Sequence, residues 1–194
     1  MAIYTRYKQP GGTYFFTARL HDPSSDLLIR EVGHLRAATR ATKARYPFSI
    51  DAIVILPSAI HTIWTLPEGD ADYSTRWSML KALFSKGLPL PENRTQTQIK
   101  RNEKGIWQRR FWEHLIRDED DFATHMSYVH QSPVQMGLVA QASQWQHSSI
   151  HRNATKTQSR PLPNCSNAAP QAQLTGLNLP RVQPPKRTTP LSLR

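Results

Sequence analysis

Tyr128 and His61 are the residues whose types and surroundings could do chemistry. A tyrosine hydroxyl can act as a covalent nucleophile. Tyr128 lies in "DEDDFATHMSYVHQSP" (118–133). At about 100° per residue, Phe122, Met126 and Val129 fall on one helical stripe and Tyr128 sits roughly 120° away from it. Its i+3 and i+4 neighbours are Gln131 and Ser132. A tyrosine in that setting is either a nucleophile or, more commonly, an amphipathic surface residue. His61 lies in the alternating stretch "LPSAIHTIWTLPEGD" (56–70). Positions i and i+2 of a strand share a face, so a His-apolar-His triplet aims two imidazoles at one divalent ion. Such an ion can stabilise charge on a phosphate. Here the triplet reads Ala59-Ile60-His61, and alanine ligates nothing. Alone, His61 reads more often as a packed or hydrogen-bonded strand residue than as a ligand.

A second group of residues suits a polyanion. Arg109 and Arg110 are flanked by Trp107, Phe111 and Trp112, which combines phosphate-seeking charge with stacking surface. If the segment is a strand, Trp107, Arg109 and Phe111 share one face, and Gln108, Arg110 and Trp112 the other. The plainer alternative puts the aromatics in a core and the arginines in solvent. Arg76, Lys81, Lys100 and Arg101 are further basic candidates.

The elements that must position these side chains follow from pattern. "TYFFTARL" (13–20) is aromatic and β-compatible, which predicts a strand. "SSDLLIREVGHLRAATRATKARYP" carries Leu28, Val32, Leu35 and Thr39 at helical spacing after cap-type serines. "FSIDAIVILP" (48–57) and Ile60 to Leu66 are strands joined by a short turn at Pro57 and Ser58, hence a hairpin. "STRWSMLKALFSKG" (74–87) is helical, with Trp77, Leu80 and Phe84 on one side. Residues 88–105 are polar and basic and read as a mobile loop. "GIWQRRFWEHLIR" (105–117) alternates as a strand, and 118–133 is a helix that opens on acidic residues and stops before Pro133. The order is β-α-β-β-α-β-α. Its first six elements match an α+β, ferredoxin-like antiparallel sheet with helices on one face.

Composition bounds the partners. The formal net charge is +11, from 25 Lys+Arg against 14 Asp+Glu, which favours a polyanionic partner such as nucleic acid. The single cysteine, Cys165, excludes an internal disulfide framework and a multi-cysteine zinc site. No stretch is long and apolar enough to span a membrane, and "MAIYTRYKQPGG" lacks the apolar core of a signal peptide, so a cytoplasmic protein is expected. The chain divides near residue 152. Residues 153–194 hold 7 of the 15 prolines, 6 of the 25 basic residues, no acidic residue and no aromatic one. Such a segment cannot bury enough apolar surface to offset chain entropy, and a basic disordered tail is expected. It either adds phosphate affinity or has no role.

The segments "TYFFTARL", "RYPFSIDAIVILP", "IHTIWTLPEGDADYSTRW", "GIWQRRFWEHLIRDEDDF", "YVHQSPVQMGLV" and "QWQHSSIHR", in that order, carry a resemblance. From about Tyr14 to Arg152 the chain resembles the REP-associated tyrosine transposases, a branch of the single-tyrosine HUH endonucleases. The resemblance implies an HUH domain over residues 1–152. It implies binding of single-stranded or hairpin DNA from repetitive extragenic palindromes (REP), by a monomer or homodimer in the bacterial cytoplasm, associated with the nucleoid. It implies Mg²⁺ or Mn²⁺ held by two strand histidines and a polar residue of the tyrosine helix. The tyrosine then attacks a phosphodiester and leaves a 5′-phosphotyrosine link and a free 3′-OH. Position by position, Tyr128 matches the nucleophile and His61 the second histidine.

Two departures stand out. The family pattern at the hairpin is proline, aspartate, histidine, apolar, histidine, whereas this chain reads Pro57-Ser58-Ala59-Ile60-His61. The family places Asn four residues after the nucleophile, and here that site is Ser132, with Gln131 beside it. An ion held by His61, Ser132 and Gln131 would bind weakly or not at all, because Mg²⁺ keeps its hydration shell unless several ligands converge. Two functions follow: a transposase, impaired in this copy, that cleaves and joins DNA through Tyr128, or a noncatalytic protein that occupies the same repeats. A metal-dependent hydrolase of small substrates fits the charge and the sparse ligands less well.

Overall fold

The computed structural model describes residues 8–92 and 94–153. Of the tail expected over 153–194, Asn153 ends a short helix and residues 154–194 lie outside the described residues. Four strands, β1 (Thr13–Arg19), β2 (Ser49–Ile55), β3 (Ala59–Thr65) and β4 (Trp112–Leu115), form one sheet in the order β2-β3-β1-β4. Every neighbouring pair is antiparallel. The α+β class and the ferredoxin-like strand order are those expected.

The helices are α1 (Leu27–Arg30), α2 (Val32–Arg45), α3 (Tyr73–Ser85), α4 (Gln96–Lys100), α5 (Glu119–Gln135) and α6 (Ile150–Asn153). Alternation along β1 sorts the core into two layers. Tyr14, Phe16 and Ala18 meet Leu35, Ala38, Tyr73, Trp77, Leu80 and Phe84 of α2 and α3. Trp64 of β3 stacks on Trp77 of α3, with centroids 4.4 Å apart. Phe15 points the other way, with Ala52, Val54, Ala59 and Ile63, into a cluster closed by Val129 and Met136. The helices of the first six elements therefore share one face, as expected. The seventh element, α5, adds a layer on the opposite face.

Four local expectations are corrected. The helix expected from residue 24 breaks at Glu31 into α1 and α2. The loop 88–105 contains α4, which Thr95 and Gln98 close with reciprocal side-chain-to-backbone hydrogen bonds. Lys104 Nζ, donating to the carbonyls of Ser85 and Leu88, ties that loop to the end of α3. The strand expected over 105–117 is limited to Trp112–Leu115, preceded by an isolated bridge between Leu20 and Trp107. Trp107 instead packs edge-on against Phe84, held by tertiary contact rather than a ladder. Finally, α5 runs through Pro133 to Gln135. A proline one turn from a helix end removes a single backbone donor, and the burial of Pro133 favours continuing the helix.

After α5 the chain returns along the sheet. Ile55 N–H donates to His147 O, Ser149 N–H donates to Ile53 O, and the Trp145 indole donates to Ile55 O. Residues 147–149 thus lie along the outer edge of β2.

Candidate functional site

The face under α5 carries the candidate chemistry. Register puts Thr17 opposite His61 and Arg19 opposite Ala59 on β1 and β3, with Val54 of β2 and Trp112 of β4 flanking them. Residues directly opposed in an antiparallel ladder share a face. α5 lowers Tyr128 onto this patch. Its ring stands edge-on to His61 at 5.1 Å and to Phe15 at 5.7 Å between centroids.

The helix places Tyr128 differently from the sequence stripe. The buried positions of α5 are His125, Val129, Ser132 and Pro133, with Met136 at its C-cap, while Phe122 and Met126 are only partly covered. At 100° per residue this recentres the stripe to about 80° from Tyr128. Tyr128 is therefore a half-buried shoulder residue packed on the apolar cluster, not a residue of the polar face.

His61 has no solvent exposure. Its Nδ1 lies 2.8 Å from Thr17 Oγ1, while its Nε2 is buried without a hydrogen-bond partner among the described residues. Burial, helped by the nearby Arg19 charge, lowers its pKa to about 3, so the ring is neutral. Burial raises the pKa of the Tyr128 phenol, and the Arg19 charge partly offsets that rise. Arg19 itself has its pKa lowered by burial, with Tyr128 opposing the change.

These residues do not fit a divalent ion. Ala59 offers no ligand. The Ser132 hydroxyl donates to the Tyr128 carbonyl one turn back, and Gln131 is exposed on the far side of α5. One neutral imidazole nitrogen remains. Mg²⁺ and Mn²⁺ sites are built from several convergent, mainly oxygen ligands. The structure brings the Tyr128 ring against His61, keeps the Ser132 hydroxyl on the Tyr128 carbonyl, and leaves Gln131 apart.

A second cluster was not read from the sequence. Asp121, in the first turn of α5, holds His114 Nε2 of β4 at 2.8 Å and His125 Nδ1 at 2.9 Å. The two imidazoles stack at 4.6 Å. Among the described residues this is the group whose ligand-type atoms, all within 4.8 Å of one another, are close enough to converge on an ion. The atoms already bond one another, so the group acts as a clamp between β4 and the start of α5. Burial would raise the Asp121 pKa, but hydrogen bonds from both histidines hold it well below the carboxylate range. The readable signal was a histidine and an aspartate four apart on one helix face. Its β4 partner required the fold.

The expected DNA contacts divide. Arg109 and Arg110 are both exposed, on the bend before β4. Lys100 and Arg101 are exposed at the end of α4. Trp112 is half-buried, edge-on to Phe15 at 5.6 Å and stacked on His114. Arg76 is a correction. It is 2 % exposed, and its guanidinium donates to the carbonyls of Asp72 and Pro47 and to the Asp70 carboxylate. It stitches α3 to the β2 approach and does not reach a ligand surface. Lys81 donates to Gln108 O beside the rings of Trp107 and Phe111, bracing that bend. A cavity of about 380 Å³ opens on the opposite face, among Leu35, Ile53, Trp64 and Trp77, away from Tyr128.

Among the described residues no helix is long and apolar enough to cross a membrane. No protein-family model matches the chain. Individual proteins do. The chain is 42% identical over 156 residues to the REP-associated tyrosine transposase of Escherichia coli strain K12, covering 80% of this chain and 87% of that one. It is 42% identical over 154 residues to a putative REP-associated tyrosine transposase of Haemophilus influenzae, covering 79% and 88%. Its fold matches a solved REP-associated tyrosine transposase bound to a REP hairpin with a TM-score of 0.70 and 36% identity, over 89% of this chain and all of that one. Two relatives at this identity, each matched over most of its length, and a fold shared with a solved member place the chain in the family of REP-associated tyrosine transposases.

Proposed function

We propose that this chain binds single-stranded or hairpin DNA of palindromic repeats, with Tyr128 as the group that attacks the backbone. The observation that carries the reading is the approach of Tyr128, carried by α5, to His61 on the sheet face beneath it, 5.1 Å between ring centroids. A solved relative is bound to a REP hairpin, which supports the ligand class. Tyr128 Oη would attack phosphorus, the P–O3′ bond would break, and the products would be a 5′-phosphotyrosine and a free 3′-OH. Arg109, Arg110, Lys100 and Arg101 supply exposed positive charge for the phosphates, and the half-buried Trp112 offers an aromatic edge for a base. The basic segment from residue 153 adds sequence-independent phosphate affinity.

Metal-assisted cleavage is impaired in this reading, because Ala59 and the engaged Ser132 leave His61 alone. The same two positions favour the second reading, a noncatalytic protein that occupies the repeats. A labelled repeat-hairpin oligonucleotide, incubated with the protein and Mn²⁺ and run on a denaturing gel, separates them. A covalent adduct lost in Tyr128→Phe supports cleavage. Hairpin binding without any adduct supports occupancy. Absence of hairpin binding removes both.

A further inference from the structure

Arg19 is the last residue of β1, directly across the ladder from Ala59. Two positions back, Thr17 faces His61. Since i and i+2 share a strand face, all four side chains point toward α5 and Tyr128. Opposed Cβ atoms in such a ladder stand ~5 Å apart. Ala59 is 1 % exposed and ends at its Cβ, so it presents neither a donor nor bulk to its neighbour. The charged residue directly across the ladder from that short side chain is the half-buried Arg19. Its field reaches both rings of the site, opposing the rise of the Tyr128 pKa and helping to keep His61 neutral.

Resting on the reading of Tyr128 as nucleophile, we infer that Arg19 is the cation of this site. Its guanidinium, opposite Ala59, grips the non-bridging oxygens of the phosphodiester that Tyr128 attacks, where the residues present do not assemble an ion site. The chemistry suits it. A guanidinium is permanently charged and presents a planar fork of donors that matches two phosphate oxygens. Donors aimed at the oxygens that gain charge in the transition state are the largest single source of rate in many enzymes. A fixed positive charge also disfavours a divalent cation beside it, so Arg19 and a metal are alternatives at this position. The step balances without a metal or a redox partner. The Oη–P bond forms and the P–O3′ bond breaks. The phenol proton leaves to water, the 3′-oxygen takes one from water, and the phosphodiester keeps its single charge.

The test uses the full chain and a labelled repeat-hairpin oligonucleotide with a single-stranded flank. Adduct yield and hairpin affinity are measured for the natural protein, Arg19→Gln, Arg19→Lys and Tyr128→Phe, each with EDTA and with Mn²⁺. The natural protein is expected to form the adduct equally in both. Arg19→Gln should lower the yield by about 100-fold, the scale for losing one transition-state donor. Its hairpin affinity should fall by no more than one phosphate contact is worth. Arg19→Lys should recover part of the yield, which a purely structural arginine would not require, and Tyr128→Phe should give none. The inference is overturned if the natural adduct needs Mn²⁺, if Arg19→Gln keeps the natural yield, or if the hairpin binds and no adduct forms in either buffer. A hairpin that does not bind at all removes the proposed function itself, a distinct result.

Discussion

Thr17 and His61 face each other across the β1–β3 ladder, and the threonine hydroxyl lies 2.8 Å from His61 Nδ1. With Nε2 unpaired among the described residues, this contact is the hydrogen bond that holds the buried ring. Thr17→Val keeps the shape and removes the partner. The expected loss is about 1–3 kcal/mol, the cost of stranding a buried polar group. Urea unfolding should show a lower midpoint with an unchanged slope.

His61 also sets a pH dependence. Its folded pKa, near 3, lies below the unfolded value near 6.5. As pH falls below about 6.5 the unfolded state takes up a proton that the folded state refuses, so stability drops until about pH 3. One such group contributes up to about 1.4 kcal/mol per pH unit. Asp121, held low, acts in the same direction: its contribution is present above the unfolded carboxylate value and is lost as pH falls through the folded one. Unfolding free energies of the natural chain and of His61→Gln, measured from pH 7 to 4, should differ in slope. Parallel curves would mean that His61 titrates normally.

The clamp at the start of α5 should tune Tyr128 from two turns away. Asp121→Asn removes the carboxylate shared by His114 and His125. Stability should fall by about 1–3 kcal/mol. Adduct formation should fall several-fold while hairpin affinity holds, because the helix loses its tie to β4 and the basic bend at Arg109 is untouched. Equal losses in binding and adduct would indicate general unfolding instead.

Restoring an ion site requires removing its competitor. Ala59→His with Ser132→Asn supplies two ligands, yet the new imidazole would face Arg19 across the ladder. The double variant should therefore gain little Mn²⁺ affinity. Adding Arg19→Thr should let the ion bind and make adduct formation respond to Mn²⁺ by at least tenfold, about 1.4 kcal/mol. Calorimetric titration with Mn²⁺ and adduct yield read the two effects separately. Tight Mn²⁺ binding with Arg19 still in place would contradict the argument.

Arg109 and Arg110 stand exposed before β4. If both meet phosphates, Arg109→Ala with Arg110→Ala should weaken hairpin binding at every salt concentration. The slope of log K against log salt should drop by roughly 1.4–1.8, two contacts at about 0.7–0.9 each. An unchanged slope would place the DNA elsewhere.

The strands and major helices were readable because their apolar spacing is local. Phe16 and Trp77 announce their elements within a few residues. The bend at 107–111 was not readable. Aromatics at alternating positions imitate a strand, and only Phe84 and Lys81, far away in sequence, show that Trp107 is held by packing. Arg76 looked like a ligand-facing cation because its acceptors are mostly main-chain carbonyls, which leave no mark in side-chain patterns. Tyr128 and His61 were visible as residue types. Arg19 was not, since its meaning depends on standing opposite Ala59, 40 residues later, and register between distant strands is not written locally.

Residues 147–149 lie along β2 as a substitute strand, through the bonds at Ile53 and Ile55 and the bridge between Val54 and Ser148. During synthesis, β2 therefore leaves the ribosome with an open edge that no other part of the sheet closes, and it stays open until the polypeptide has been extended by nearly a hundred residues. An unpaired apolar edge is the template on which nascent chains associate. A message truncated between α5 and residue 147 would release a domain with Tyr128 and its helix in place and the outer edge of β2 uncovered. The short run from Trp145 to Ser149 thus closes the outer edge of β2 only once nearly the whole fold has been synthesised.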